Sequence, residues 1–395
     1  MGNSPKVLLV GSSFSAAPIY FALKKYDLHV STCGNIKSDP CHQYSDASFF
    51  IDYSKPEEVM GVVEAEKFDY LVPTCNDYSY MSCVPVAEKY GYFGFDKVEI
   101  AKTLHTKSEF RQLTERHKFS VPKFRTIREG QSFEIGELQF PLLVKPVDSF
   151  SGRGMTKVSN GLELNAAVRK ALSLSRLGEV VLEEFLDGSL HSHSAFIKDH
   201  EVVFDFFVDE FCTVYPYQVD CSNYPSVLSE DTQNEVRKSL NQLAKLLKLN
   251  DGLLHTQFIV NDKQFWIVEC MRRCPGDLYG SLIELSTGVD YADLFVRSFL
   301  NMKLPSEVKK KENRYVGRHT ISTSDSLVNF SFSQNIPASN VDIVPLKNSG
   351  QMLGVAPFDK LAIVFCKYEN IDSMFSVTPR MADFISIKAL GESYG

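Results

Sequence analysis

A chain of 395 residues, 44% hydrophobic and 23% charged, holds enough apolar material for two or three domains around one cleft. Its formal net charge of −7 excludes a broad basic surface, so no nucleic-acid partner is expected. No apolar run approaches the roughly 20 residues of a bilayer-spanning helix, so no membrane partner is expected either.

In chain order, Met1-Gly2 leads within a few residues into an apolar strand. That is too short for a secretory signal, and Lys6 stands where myristoylation favours a hydroxyl. With nine scattered cysteines and no export feature, the expectation is a cytoplasmic protein whose thiols are reduced and mostly core. Residues 6–11, 28–33, 49–52 and 69–74 read as strands, and residues 19–25 have helical spacing. Strands alternating with helices predict a parallel sheet with crossover helices. The small-residue turn after residue 11 does not complete G-x-G-x-x-G, which leaves a dinucleotide site, and with it an oxidoreductase, unsupported. Residues 97–117 read as helical, up to a break at Ser120-Val121-Pro122 and a strand at 123–127. Residues 140–184 are strand-rich. Residues 230–250 form the clearest amphipathic helix, with Val236, Leu240, Leu243 and Leu247 near a 3.6-residue period. Strands at 253–260 and 264–270, joined at Asn261-Asp262-Lys263, give a hairpin signal. Cys270 and Cys274 come closest to a metal spacing, but no second pair lies near, and they read as buried thiols. Beyond residue 315 the chain looks β-rich, with a turn at Asn348-Ser349-Gly350.

The chemistry centres on Pro141-Leu142-Leu143-Val144-Lys145-Pro146 and the loop that follows, with Ser149, Ser151, Gly152, Arg153 and Gly154. A strand delivers a lysine to a small-residue loop whose backbone N–H groups can close over phosphates. Lys145 offers a point charge and Arg153 a forked donor. No G-K-[ST] follows, so this is not a Walker loop. Taken alone, the segment also reads as a surface hairpin.

Three further segments change that reading. Val181-Leu182-Glu183-Glu184-Phe185-Leu186 ends a strand, Thr106-Lys107 precedes Lys145 by about forty residues, and Glu269 through Arg273 closes the later hairpin. In this order and spacing the chain resembles the ATP-grasp family, as seen in biotin carboxylase and the D-alanine–D-alanine ligase class, over about residues 1–320. The resemblance implies an α/β fold of the α+β ATP-grasp kind. It would have a Rossmann-like pre-ATP-grasp domain at 1–100 and an ATP-grasp domain at 101–320, with a lid at about 120–184. A β-rich segment at 321–395 would close the cleft.

The resemblance also implies site roles. Adenine would lie at the hinge, read by the Glu184 carbonyl and the Leu186 N–H, with Phe185 beside it and Glu183 supporting N6. Lys107 and Lys145 would neutralise phosphate oxygens. The loop carrying Ser151, Gly152, Arg153 and Gly154 would close over the γ-phosphate, and His255 would lie near the nucleotide. Magnesium would be held by Glu269, with Gln257 where the family expects a carboxylate and Met271 where it expects an asparagine. A thioether is a poor ligand for so hard an ion. Arg273 would hold the attacking carboxylate, and Asp277 and the Pro275-Gly276 turn would shape the acceptor pocket. His191 and His193 share one strand face and read as structural or pocket-lining.

The expected activity is that of an ATP-dependent ligase using ATP and Mg²⁺ to activate a small carboxylate for attack by an amine. The partners are small molecules, and a homodimer is expected by analogy only. The alternative, which Gln257 and Met271 support, is a nucleotide-binding protein that has lost catalysis.

Overall fold

The computed structural model describes residues 4–149, 152–262, 264–311, 314–348 and 350–390. Ser151, and the turn residues Lys263 and Ser349, lie outside the described residues. Among the described residues no helix is long and apolar enough to cross a membrane, and all nine cysteines are free thiols, seven of them buried.

The chain opens with a parallel sheet of order β3-β2-β1-β4, made of β1 (Lys6–Val10), β2 (His29–Cys33), β3 (Ala47–Phe49) and β4 (Tyr70–Pro73). β1 is buried along almost all its length, as a strand covered on both faces must be. Helices α1 (Ala17–Lys24), α2 (Cys41–Tyr44), α3 (Pro56–Glu66) and α4 (Asp77–Tyr90) fill the connections. The third strand lies earlier than the pattern at 49–52 predicts. Asp52 turns back on itself, its carboxylate accepting Ser54 N at 3.0 Å, and that Asx turn ends the extended chain. Asn76 caps α4 by accepting Tyr78 N at 2.8 Å, which sets Asp77 at the helix start, just past the carboxyl end of β4.

The helical stretch predicted at 97–117 is two helices, α5 (Val98–His105) and α6 (Lys107–Arg116). Thr106 between them is extended, with φ −101° and ψ 116°, so Lys107 begins a new helix. Where the lid is expected, an antiparallel sheet of order β5-β8-β6-β7 follows. Its strands are β5 (Phe124–Arg128), β6 (Leu142–Pro146), β7 (Thr156–Val158) and β8 (Glu179–Glu184), and α7 (Gly161–Leu174) packs on it. Ile127, Val144, Leu164, Val168 and Leu182 give the lid a core of its own.

The centre of the molecule is an eight-stranded sheet of order β13-β12-β9-β10-β11-β14-β17-β16. It uses β9 (Ser189–Lys198), β10 (Glu201–Phe211), β11 (Cys221–Tyr224), β12 (Gly252–Asn261), β13 (Gln264–Met271) and β14 (Tyr315–Ile321). After β15 (Phe330–Gln334), β16 (Asn340–Pro345) and β17 (Ala362–Tyr368) complete it, and β18 (Ile385–Ala389) pairs with β15 apart from it. α8 (Glu230–Leu247) buries Val236, Leu240 and Leu243 against β9, β10 and β12. Between β13 and β14 come α9 (Tyr279–Thr287) and α10 (Tyr291–Phe299), whose apolar side chains join the core of the first domain. α11 (Ile371–Val377) follows β17. The C-terminal segment is therefore no separate layer: the boundary expected at 320 falls inside β14, and β17 and β16 extend the central sheet. Its β-character was legible from alternation, but its pairing with β14 depends on residues more than forty positions apart.

Candidate active site

Lys107, at the start of α6, donates from Nζ to the Ser149 carbonyl at 2.5 Å, which ties the helix to the lid loop. Burial, opposed by Glu269 and reinforced by Lys145, lowers its pKa from the ordinary lysine value. Lys145 lies on β6 beside β8, and its Nζ donates to Glu183 Oε2 at 2.5 Å. Glu183 Oε1 accepts Arg111 Nε at 2.8 Å, and Arg111 Nη2 reaches the Val268 carbonyl at 2.7 Å. Burial would raise the Glu183 pKa, but the charges of Arg111 and Lys145 outweigh it and hold it at about 2. Glu183 is therefore bound between Lys145 and Arg111, so both of its carboxylate oxygens already have cationic partners. Strand alternation turns Glu184 the other way, where its Oε1 accepts Gln139 N at 3.0 Å. Phe185 lies beyond the strand end, with Lys157 Nζ 3.4 Å from its ring centroid.

Arg111 was not picked out by the motifs. It sits four residues after Lys107 on an amphipathic helix, so the i, i+4 rule was the signal available.

The loop after β6 has glycines where backbone comes close. Gly152 has φ +70°, and a β-carbon there would lie 2.7 Å from the Tyr217 carbonyl oxygen. Gly154, at φ +74°, is closed in by Leu174 and Pro146. Arg153 is exposed, its guanidinium 5.2 Å from the Phe358 ring centroid. That contact sets it against the C-terminal segment.

The central sheet carries a polar row on one face. Glu269 on β13 is in register with Gln257 on β12, and Gln257 with Ser192 on β9. Glu210 on β10 faces Leu190, two residues from Ser192; Ser222 on β11 faces Glu210, and Arg318 on β14 faces Ser222. Directly opposed residues share a face, so these side chains line one side of the sheet. Gln257 Nε2 donates to Glu210 Oε2 at 2.6 Å. Burial raises the Glu210 pKa above the usual carboxylate value; Ser192, Arg318 and Gln257 oppose that, and Glu269 adds to it. Met271 is buried in register with His255.

Arg273 donates to Asp77 Oδ2 from Nη2 at 2.7 Å and from Nε at 3.0 Å. Asp77 Oδ1 also lies 3.2 Å from His105 Nδ1. Burial would raise the Asp77 pKa, but Arg273 and His105 hold it well below the usual carboxylate range. Arg272 differs from its neighbour. It is buried, with Nε 2.7 Å from Asp96 and Nη2 donating to the Asn250 carbonyl, and so braces domains instead of adding charge to the cleft.

Asp277 pairs with Lys360, accepts Thr320 Oγ1 at 3.1 Å, and its carbonyl accepts Arg318 Nη1 at 2.9 Å. The left-handed residues in this turn are Asp277 (φ 53°) and Leu278 (φ 55°); Gly276 does not take a positive φ and has open space around it. Arg318 and Lys360 had no motif to announce them. They come from the segment beyond residue 315.

His255 lies on the row's side of the sheet, buried against Ser194 at 2.9 Å and edge-on to Tyr279. Burial, with Arg273 and His193 nearby, pushes its pKa well below the usual imidazole value. His191 and His193 point to the opposite face. There His191 Nδ1 is 2.9 Å from Asp209, and His193 Nε2 is 2.8 Å from Asp205. Asp220, Cys221 and His319 also gather there, but the Asp220 oxygens are occupied by Thr213 and Val214, and Cys221 Sγ lies 2.9 Å from His319 Nδ1. A cavity of about 480 Å³ opens elsewhere, between α5–α6 and the lid, lined by Lys102, Thr106, Glu109, Arg116, Arg128 and Glu179. None of the expected site residues lines it.

Residues 138–279 match the model of the ATP-grasp domain. A formate-dependent phosphoribosylglycinamide formyltransferase of Prochlorococcus marinus (strain MIT 9515) is 25% identical over 362 residues, covering 89% of this chain and 91% of its own. Among solved structures, an L-amino acid ligase from Bacillus licheniformis superposes with a TM-score of 0.81 at 16% identity, covering 99% of this chain and 100% of its own. A biotin carboxylase from Campylobacter jejuni gives a TM-score of 0.76 at 18% identity, covering 97% of this chain and 92% of its own.

Proposed function

We propose that this chain, a member of the ATP-grasp superfamily by its matched domain and its fold, is a ligase that spends ATP to activate a small carboxylate for attack by an amine. The observation that carries the reading is the convergence of Lys107 on α6, Lys145 on β6, Glu269 on β13 and Arg273 just past β13 around one end of the polar row. Electrostatics couple Lys107 to both Lys145 and Glu269, and Arg273 to Glu269.

In this reading Lys107 and Lys145 neutralise phosphate oxygens of ATP. Lys145 is already aimed, because Glu183 and Arg111 fix its position before any nucleotide arrives. The loop through Gly152 and Gly154 covers the phosphates and excludes water, which protects an acyl phosphate from hydrolysis. A carboxylate oxygen of the acid attacks the γ-phosphorus and ADP leaves. The amine then attacks the acyl carbon, and phosphate leaves as the C–N bond forms. Arg273 orients the acid and offsets the charge that develops on it. Asp277, Arg318 and Lys360 border the acceptor end.

The residues present suit one magnesium ion. Glu269 offers a carboxylate, and Gln257, its amide nitrogen turned to Glu210, offers a carbonyl oxygen. Bound there, the ion would screen phosphate charge. The enzyme would act in the cytoplasm on small molecules, and a homodimer remains analogy.

The test is release of ADP and phosphate with Mg²⁺ across amino acids, sugar acids and bicarbonate, each with and without candidate amines. Acid-dependent release is expected. ATP binding with silence across the whole panel would instead favour a nucleotide-binding protein without catalysis.

A further inference from the structure

We propose that Glu210 is a positioning residue that fixes which end of the Gln257 amide faces the metal. The inference rests on the reading of Glu269 and Gln257 as the metal-facing pair. A primary amide has one end that can ligate a hard cation, its carbonyl oxygen, and one that repels it, its NH₂. The two ends have nearly the same shape, so an unconstrained glutamine at this position would present either. Glu210 removes the choice. A carboxylate oxygen offers lone pairs and no hydrogen, so the amide must turn its N–H toward it. Gln257 Nε2 donates to Glu210 Oε2 at 2.6 Å, which leaves Oε1 as the end free for a cation.

Glu210 is itself well held. It is 5% exposed on a central strand, in register with Leu190 on one side and Ser222 on the other. Gln257 is in register with Glu269, so its amide is the link between the two acids of the row. The strand position where the family resemblance expects a carboxylate thus carries a neutral side chain, and the negative charge stands two strands further along the row, across β9. Outer partners of this kind set ligand orientation and metal affinity.

The experiment measures Mn²⁺ binding to the complex of the full chain with ADP, by the electron paramagnetic resonance of free Mn²⁺, alongside ADP affinity without metal. Glu210→Gln can donate as well as accept and releases the amide; the expected result is about 10-fold weaker Mn²⁺ binding with metal-free ADP affinity unchanged. The exchange variant E210Q/Q257E keeps one donor and one acceptor but moves the carboxylate to the metal. It is expected to bind Mn²⁺ at least as tightly as the parent, because the carboxylate at position 257 then ligates directly and the amide at position 210 donates to it; weak binding would show that position 257 does not face the metal. Parent-like Mn²⁺ binding by E210Q overturns the proposal. If E210Q does not fold, the exchange variant decides, and weak Mn²⁺ binding by that variant overturns it. A parent chain that binds ADP but no Mn²⁺ overturns the metal reading itself, and this inference with it.

Discussion

The two faces of the central sheet carry buried acids of the same kind in opposite states. On the α8 face Asp205 accepts from Arg237 at 2.6 Å and lies 2.8 Å from His193, and Asp209 pairs with His191 and with Val227 N. On the cleft face buried Glu210 accepts from a neutral amide. Among the described residues the half-buried Glu269 side chain makes no hydrogen bond, though the charges of Lys107 and Arg273 lie near it. Arg318 Nε is buried there without a partner, as His193 Nδ1 is on the α8 face, but on that face the acids themselves are paired with charged groups. Completed networks rigidify a scaffold, whereas incompletely paired buried charge costs free energy unless a ligand supplies the missing partner. Histidine content would have pointed to the wrong face: the richest cluster of histidines and acids is structural.

Substitutions test this contrast directly. The largest effect is expected for Lys145→Ala, with acid-dependent ATP turnover falling on the order of 10³-fold. Arg111 keeps Glu183 paired, so circular dichroism and cooperative melting should persist; parent-like turnover would remove Lys145 from the site. Glu269→Gln is expected to cost about 10²-fold in Mg²⁺-dependent turnover, while nucleotide binding measured by calorimetry changes little. Unchanged turnover there would mean the metal is held elsewhere.

The α8 face should respond in the opposite way. Asp205→Asn leaves Arg237 and His193 without their carboxylate and should lower stability by about 3 kcal/mol in urea unfolding, with KM and kcat of the folded fraction unchanged. A kinetic defect without a stability loss would break the comparison between faces. The smallest effect concerns pH. Glu183 has a folded-state pKa near 2 against an ordinary 4.5, so its stabilisation is complete above about pH 4.5 and is lost as pH falls toward 2. Glu183→Gln should flatten that part of the acid limb of the urea midpoint. An identical acid limb in parent and variant would show that the carboxylate is not held by its two cations.

The lid shows how far sequence carried the site. The order of β6, the glycine loop and β8 is local, so Lys145, Gly152, Gly154 and the Glu183-Glu184 pair could be read before any fold was known. What Glu183 does could not, because its partner Arg111 is 72 positions away. The surroundings of Arg153 and Arg272 were hidden for the same reason. A cation's role depends on what the fold sets beside it, here Phe358 and Asp96. Ser151 lies outside the described residues.

The sequence by itself determined the α/β class, the amphipathic helix, the hairpin and the ordered motifs, because periodicity and turn chemistry act between near neighbours. Only the tertiary structure decided the rest. It wove the C-terminal segment into the central sheet and brought Arg318 and Lys360 to Asp277. It set Asp77 against Arg273 and placed Glu210 beside Gln257. Those pairings join residues from 41 to 196 positions apart, and Gln257 with Glu210 spans 47. No local pattern encodes them. They follow from burying one face of each strand against the others, which fixes register and so fixes which side chains meet.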